Sequence, residues 1–197
     1  MENYKGKVIN LKELKDLKIG FALTASYCNF KEVITYISKL IETGAKVVPI
    51  MSYNSYTYDT RFGKAEEFIA EIEEMTGEKI MKTLVDVEPL GPKDLIDIIV
   101  VAPCTGNTLA KLANGITDTS VLGAIKTMRR NDKPVVIAIA TNDALALNMR
   151  NIFTLQNTKG ITFVPFKQDN AKDKPYSLVA EWDKMVETIE DVAKGLE

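Results

Sequence analysis

Five short apolar runs punctuate the chain: Leu17–Thr24 (LKIGFALT), Lys46–Met51 (KVVPIM), Asp97–Ala102 (DIIVVA), Pro134–Ala140 (PVVIAIA) and Ile161–Pro165 (ITFVP). They are rich in β-branched residues and nearly continuous rather than alternating, the pattern of strands covered on both faces of a parallel sheet. The segments between them carry helical periodicity. In Lys31–Thr43, Val33, Ile34, Ile37, Leu40 and Ile41 form one apolar stripe, and Gly44 follows where a helix end favours a left-handed residue. Lys64–Thr76 repeats the design with Ala65, Phe68, Ile69, Ile72 and Met75, and stops at Gly77. Further helices are expected over Thr105–Ala113, Asp118–Arg130, Asp143–Asn157 and Glu181–Lys194.

Strand–helix alternation with right-handed crossovers predicts an open, doubly wound parallel α/β sheet in three α/β/α layers, flavodoxin-like or Rossmann-like. The 197 residues suit one domain over 1–197, with residues 1–16 as a peripheral lead-in. Ser52–Gly63, Glu78–Pro92 and Phe166–Ser177 read as long connections, a place where function concentrates.

In such sheets ligands bind beyond the carboxyl ends of the strands, so the residues after each strand matter most. Neither a dinucleotide G-x-G-x-x-G nor a triphosphate P-loop is present. Instead, Thr24-Ala25-Ser26-Tyr27-Cys28-Asn29 makes a hydroxyl-rich turn into a helix. It suits a phosphate, and equally suits simple helix capping by Ser26 or Asn29. Ser52 lies at the same edge after the second strand, and Arg61 follows in Asp59–Gly63, as a two-point anion binder or a solvated arginine.

The densest polar signal follows the third strand: Pro103-Cys104-Thr105-Gly106-Asn107-Thr108. Pro103 is expected to stop the strand, Thr105 to cap a helix, and Gly106 to permit close backbone approach. Cys104 reads as a reactive group or as a small buried hydrophobe. After the fourth strand come Thr141, Asn142 and Asp143. Gln168, Asp169, Lys172 and Lys174, beyond the fifth strand, are expected to face solvent.

Composition narrows the chemistry. Lys and Arg total 25 against 27 for Asp and Glu, a net charge of −2, so no basic surplus argues for nucleic acid or an anionic membrane. The count of His is 0. That removes Ser-His-Asp and Cys-His arrangements and nearly every zinc site, leaving proton transfer to Asp, Glu, Lys, Tyr, Cys or a cofactor. Cys28 and Cys104 are far apart and form no C-x-x-C, as expected of free thiols in a reducing compartment. The apolar runs are too short to span a bilayer, and a soluble, cytoplasmic protein is expected.

Pro103–Thr108 resembles the Pro-Ala-Ser-Ala-Asn-Thr segment of the flavin-containing cysteine decarboxylase family, with Pro103, Asn107 and Thr108 matching outright. Gly115-Ile116-Thr117-Asp118 is similar to that family's Gly-Ile-Ala-Asp, and Ala140 and Asn142 survive from its Pro-Ala-Met-Asn motif. The resemblance implies FMN at the strand ends. Thr24, Ser26 and Ser52 would take the phosphate side, Thr105, Asn107 and Thr108 would face the ring, and Pro103 and Asn142 would complete the cofactor site. Across GFALTASYCNF, TRFGKAEEF, EPLGPKD, APCTGNTLAKLANGITDTS, ATNDALALN and KPYSLVAEW, the chain resembles the family of dipicolinate synthase B subunits of endospore formers.

That narrower resemblance implies a flavoprotein-type oxidoreductase subunit in the mother cell of a sporulating bacterium. It would work with the dehydrogenase-like A subunit of dipicolinate synthase to make dipicolinate from a dihydrodipicolinate precursor, and would form homo-oligomers. Arg61 and Asn107 would then hold the carboxylates of the small dicarboxylate substrate, and Asp118, Asp143 or Cys104 would handle a proton. The cysteine decarboxylases use a catalytic histidine that this chain lacks. The alternatives are a phosphopantothenoylcysteine-type decarboxylase and a non-catalytic accessory subunit.

Overall fold

The structure is a computed structural model that describes residues 14–196. The expected lead-in falls largely outside the described residues. The strand–helix alternation follows the hydrophobic pattern, with two short helices inside stretches expected to be connections: β1 (Lys18–Leu23), α1 (Phe30–Glu42), β2 (Lys46–Met51), a short α2 (Tyr53–Thr57), α3 (Ala65–Thr76), a one-turn α4 (Leu84–Val87) and β3 (Ile98–Cys104). Then follow α5 (Gly106–Ala113), α6 (Ser120–Arg130), β4 (Val135–Thr141), α7 (Met149–Gln156), β5 (Ile161–Phe163), β6 (Phe166–Asn170), β7 (Lys174–Ala180) and α8 (Met185–Ala193).

The sheet has seven strands in the order β2-β1-β3-β4-β7-β6, with β5 also paired to β4. The first five strands are parallel, whereas β7 runs antiparallel to both β4 and β6. Side-chain parity explains the unbroken apolar runs. Phe21 and Leu23 of β1, Val100 of β3 and Ala138 of β4 pack with α1, α3 and α8. Their neighbours Ala22, Val101 and Ile137 pack with α4, α6 and α7 on the opposite face. A strand with helices on both sides has no position left for a polar residue.

Local signals set the helix limits. Gly44 takes φ 85° and its amide donates to Ile41 O at 2.9 Å, the left-handed stop expected after α1. Gly77 stops α3 the same way at φ 69°. One predicted stretch is shorter. Residues 143–148 form turns rather than the first turns of α7, because the Asp143 carboxylate is occupied by Thr141 Oγ1 at 2.6 Å and Asn148 Nδ2 at 2.8 Å.

Two expectations are corrected. Pro103 does not end β3, which continues to Cys104 through a cis Ala102–Pro103 peptide. The register against β4 shifts between Val101 and Cys104, which turns Cys104 onto the face of Val101. Phe166–Ser177 is not a loop: it is most of a β-hairpin whose register runs from Phe166↔Ala180 to Asn170↔Lys174. Asn170 shapes the turn, its Oδ1 accepting from the amides of Lys172 and Asp173. Ala140 and Thr141 pair with Val179 and Leu178, so the hairpin extends the sheet only at its carboxyl end.

Candidate functional site

The sheet order reverses direction between β1 and β3, and in open α/β sheets the ligand crevice lies at such a switch point. The two strand ends are joined by one buried hydroxyl. Thr24 Oγ1 donates to Pro103 O at 2.7 Å, accepts the Thr105 amide at 3.0 Å and lies 3.3 Å from Thr105 Oγ1. Thr105 caps α5, its Oγ1 3.0 Å from Thr108 Oγ1 and accepting the Thr108 amide at 3.4 Å. Thr24, Thr108 and Pro103 are therefore buried beneath the site and hold its shape.

Above them opens a cleft of about 320 Å³ lined by Ala25, Ser26, Thr105, Gly106, Asn107 and the 140–143 segment. Ser26 is half-buried and accepts from Asn29 Nδ2 at 2.9 Å. Asn107 and Asn142 are exposed. First-turn amides of a helix have no intrahelical acceptor, so the start of α5 offers backbone donors beside these side chains. The surroundings are closely packed. A Cβ on Gly106 would stand 2.5 Å from Asn148 Nδ2, 2.6 Å from Thr141 Oγ1 and 2.7 Å from Asp143 Oδ1. Asn148 in turn accepts from Asn151 Nδ2 at 2.9 Å, both residues being buried. The close approach anticipated at Gly106 is thus made by the protein's own polar network.

A second hollow of about 260 Å³ shares Ser26, Ala140, Thr141 and Asn142 with the first and adds Cys28, Asn29, Asp169, Lys174 and Ser177. The last three come from the hairpin: Asp169 and Lys174, expected to face solvent, are exposed but also line this hollow, and Ser177 is a residue the sequence did not single out. Ser177 is 2% exposed, its Oγ donating to Asn142 Oδ1 at 3.5 Å. The available signal was the polar Asx turn between two short runs. The exposed, charged faces of β6 hide the alternation that marks a half-buried strand.

Other predicted residues do not join this site. Ser52 sits at the end of β2, where its hydroxyl is 2.7 Å from Ser55 Oγ and its amide donates to Leu23 O at 3.0 Å. Arg61 is exposed, its guanidinium 4.8 Å from the Phe62 ring centroid, and lines neither hollow. Asp118 lies before α6, its carboxylate accepting from Lys111 Nζ at 2.6 Å. That hydrogen bond holds it below the usual carboxylate range, and it too lines neither hollow.

Cys104 is fully buried and burial pushes its thiol up out of the physiological range, so it has neither the access nor the acidity to move a proton. It occupies the core, the other reading open for it. Among the described residues, no group of three metal-ligating side chains is present and no helix is long and apolar enough to cross a membrane. A separate apolar hollow of about 240 Å³ between α4 and α6, lined by Leu84, Gly123 and Lys126, includes no predicted site residue.

A sheet in this order, with a polar cleft at its switch point, is the doubly wound α/β arrangement in which ligands bind beyond the strand ends, and the chain belongs to the Flavoprotein family, whose pattern it matches over residues 7–194. It is 46% identical over 180 residues to the dipicolinate synthase B subunit of Bacillus subtilis strain 168, covering 91% of this chain and 90% of that one. Among solved structures, the dipicolinate synthase B subunit from Bacillus halodurans matches with a TM-score of 0.84 at 46% identity, covering 92% of this chain and 93% of that one. Burkholderia xenovorans DmrB, a cubic protein cage for redox transfer solved with FMN, shares the fold at a TM-score of 0.71 and 17% identity over 92% of this chain and 97% of that one.

Proposed function

We propose that this chain is the FMN-binding subunit of a dipicolinate-forming oxidoreductase, working with a second, dehydrogenase-like subunit on a dihydropyridine dicarboxylate. The observation that carries the reading is the polar cleft at the β1–β3 switch point in a chain 46% identical, over nine-tenths of its length, to dipicolinate synthase B subunits. The donor set fits a flavin nucleotide. The amides that open α5 and the Ser26 hydroxyl suit a phosphate. The side-chain amides of Asn107 and Asn142 each offer a donor and an acceptor to the polar edge of a planar ring.

When bound, FMN supplies a two-electron acceptor that side chains do not provide. The chain's own residues then act by position. Thr24 and Thr105 fix the strand ends, the Asp143–Asn148–Asn151 network fixes the loop facing α5, and Asn107 and Asn142 orient the guest. Aromatisation supplies driving force, so holding the reactants together is the larger part of the task.

The experiment is FMN uptake by the purified chain, followed by dipicolinate formation with its partner. Wild type is expected to turn yellow, and Asn107→Ala and Ser26→Ala to take up FMN at least about tenfold more weakly, the worth of one or two hydrogen bonds to an anion or a fixed edge. A colourless preparation that takes up no added FMN sinks the reading. A second reading, a non-catalytic accessory subunit of the same complex, is favoured by the scarcity of proton-handling groups at the cleft, where Asp143 is the one carboxylate and both its oxygens are engaged. It predicts normal dipicolinate formation by complexes carrying Asn107→Ala. We place the complex in the cytoplasm of the mother cell and expect homo-oligomers.

A further inference from the structure

We propose that Lys174 is the cationic subsite for one carboxylate of a small planar dicarboxylate, seated in the hollow between β7 and the β1–α1 turn. The proposal rests on the reading above for the identity of the guest, and replaces Arg61 as the carboxylate anchor.

A dianion entering a half-buried hollow loses water around each carboxylate and needs charged or well-aimed donors in return. Of the side chains that line the two joined hollows, Lys174 is the one cation. Asp143 and Asp169 are the anions, and every other polar side chain is neutral. Arg61 lines neither.

Lys174 is held in place from the neighbouring strand. Its Nζ donates to Asp169 Oδ2 at 2.8 Å across the hairpin, and that contact raises the ammonium above its ordinary range, keeping it charged. An ammonium carries three N–H donors, so two remain beyond the Asp169 bond. Neutral donors face it from the floor. Asn142 Nδ2 is one, its Oδ1 accepting from the 2%-exposed Ser177 hydroxyl, and the Ser26 hydroxyl is the other, its oxygen accepting from Asn29 Nδ2. Because Ser26, Ala140, Thr141 and Asn142 line both hollows, a ring anchored on Lys174 lies against the cleft assigned to the nucleotide.

The geometry also assigns a role to Asp169. Fixed beside the ammonium, it takes one donor and repels any incoming anion, so a single carboxylate gains little there. A diacid reaches Lys174 while its second carboxylate is held by the neutral donors. Selection of diacid over monoacid therefore comes from engaging Lys174 and the neutral donors together, and Asp169 sets how much charge Lys174 presents.

The test is calorimetric titration of the purified chain with pyridine-2,6-dicarboxylate and with pyridine-2-carboxylate, each without flavin and after FMN addition. Wild type is expected to prefer the diacid. Lys174→Met should weaken diacid binding about tenfold, the low end for a charge-assisted hydrogen bond at a half-exposed site. It should leave the monoacid nearly unchanged. Lys174→Arg should restore diacid binding, and Asp169→Asn should tighten it.

Unchanged melting temperatures for these hairpin variants show that folding is not the cause. Diacid binding by Lys174→Met equal to wild type overturns the proposal, as does a wild type that binds neither acid. FMN uptake is scored separately. A wild type that binds diacid through Lys174 but no FMN sinks the flavin reading and leaves this one standing.

Discussion

Thr24 separates a structural hydroxyl from a ligand-binding one, and Thr24→Val makes the distinction measurable. The side chain is 1% exposed, and valine keeps its shape while removing the oxygen. Pro103 O loses the 2.7 Å bond but still accepts the Thr24 amide at 3.3 Å. The Thr105 amide loses its 3.0 Å acceptor, and no other serves it among the described residues. Leaving a part-buried donor unpaired costs about 1–3 kcal/mol. Burying valine instead of threonine offsets part of that, so a net loss of about 2 kcal/mol is expected.

For a chain of this size that loss lowers the melting temperature by roughly 4–8 °C. Guanidinium melts should show a lower midpoint with an unchanged slope. Thr24→Ser keeps the oxygen and deletes one buried methyl, so it should cost only about 1 kcal/mol. FMN titration of the folded Thr24→Val protein should show uptake weakened far less than in Asn107→Ala or Ser26→Ala, because the Thr24 hydroxyl shapes the cleft from beneath without lining it. A variant within roughly 0.5 kcal/mol of wild type that has lost flavin uptake would refute the reasoning and return Thr24 to the phosphate side.

The remaining predictions follow from the same kind of accounting. In the native protein a thiol reagent should modify Cys28 and spare Cys104, which is 0% exposed; equal reaction rates without denaturant would contradict the buried placement. Gly106→Ala should cost about 1–3 kcal/mol by overpacking, because its Cβ would fall within 2.7 Å of Asn148, Thr141 and Asp143; a melt unchanged from wild type would mean that the network yields freely. The amides of Lys82 and Thr83 donate to Asp86 at 3.0 and 2.9 Å and hold its carboxyl below its ordinary 3.8. With the folded value depressed, this stabilisation is present above pH 3.8 and disappears as pH falls through the folded value. Asp86→Asn should therefore flatten that limb of an acid titration of stability, by about 0.5 kcal/mol at this exposed cap. An identical acid limb in wild type and variant would remove Asp86 from the account.

Burial on both faces writes itself into a strand as an unbroken β-branched run, and the stripe Val33–Ile34–Ile37–Leu40 needs only helical geometry to share a face with the core. The five parallel strands and most of the helices were therefore legible in the chain alone. So was the crowding of polar residues at Pro103–Thr108, because such density after a strand is unusual wherever the strand sits.

What each polar group does was decided by the tertiary structure, since partners lie far apart in sequence. Thr24 and Thr105 meet across 81 positions and satisfy one another, which no local pattern distinguishes from two hydroxyls facing solvent. Ser26, Asn107 and Asn142 line one cleft because three strand ends converge, while Arg61 and Asp118, equally plausible as isolated residues, are carried elsewhere by their loops. The hairpin was hidden for the complementary reason. Its outer strand is exposed, so the alternation that reveals a strand through burial is absent, and only pairing with β4 brings Lys174 to the rim.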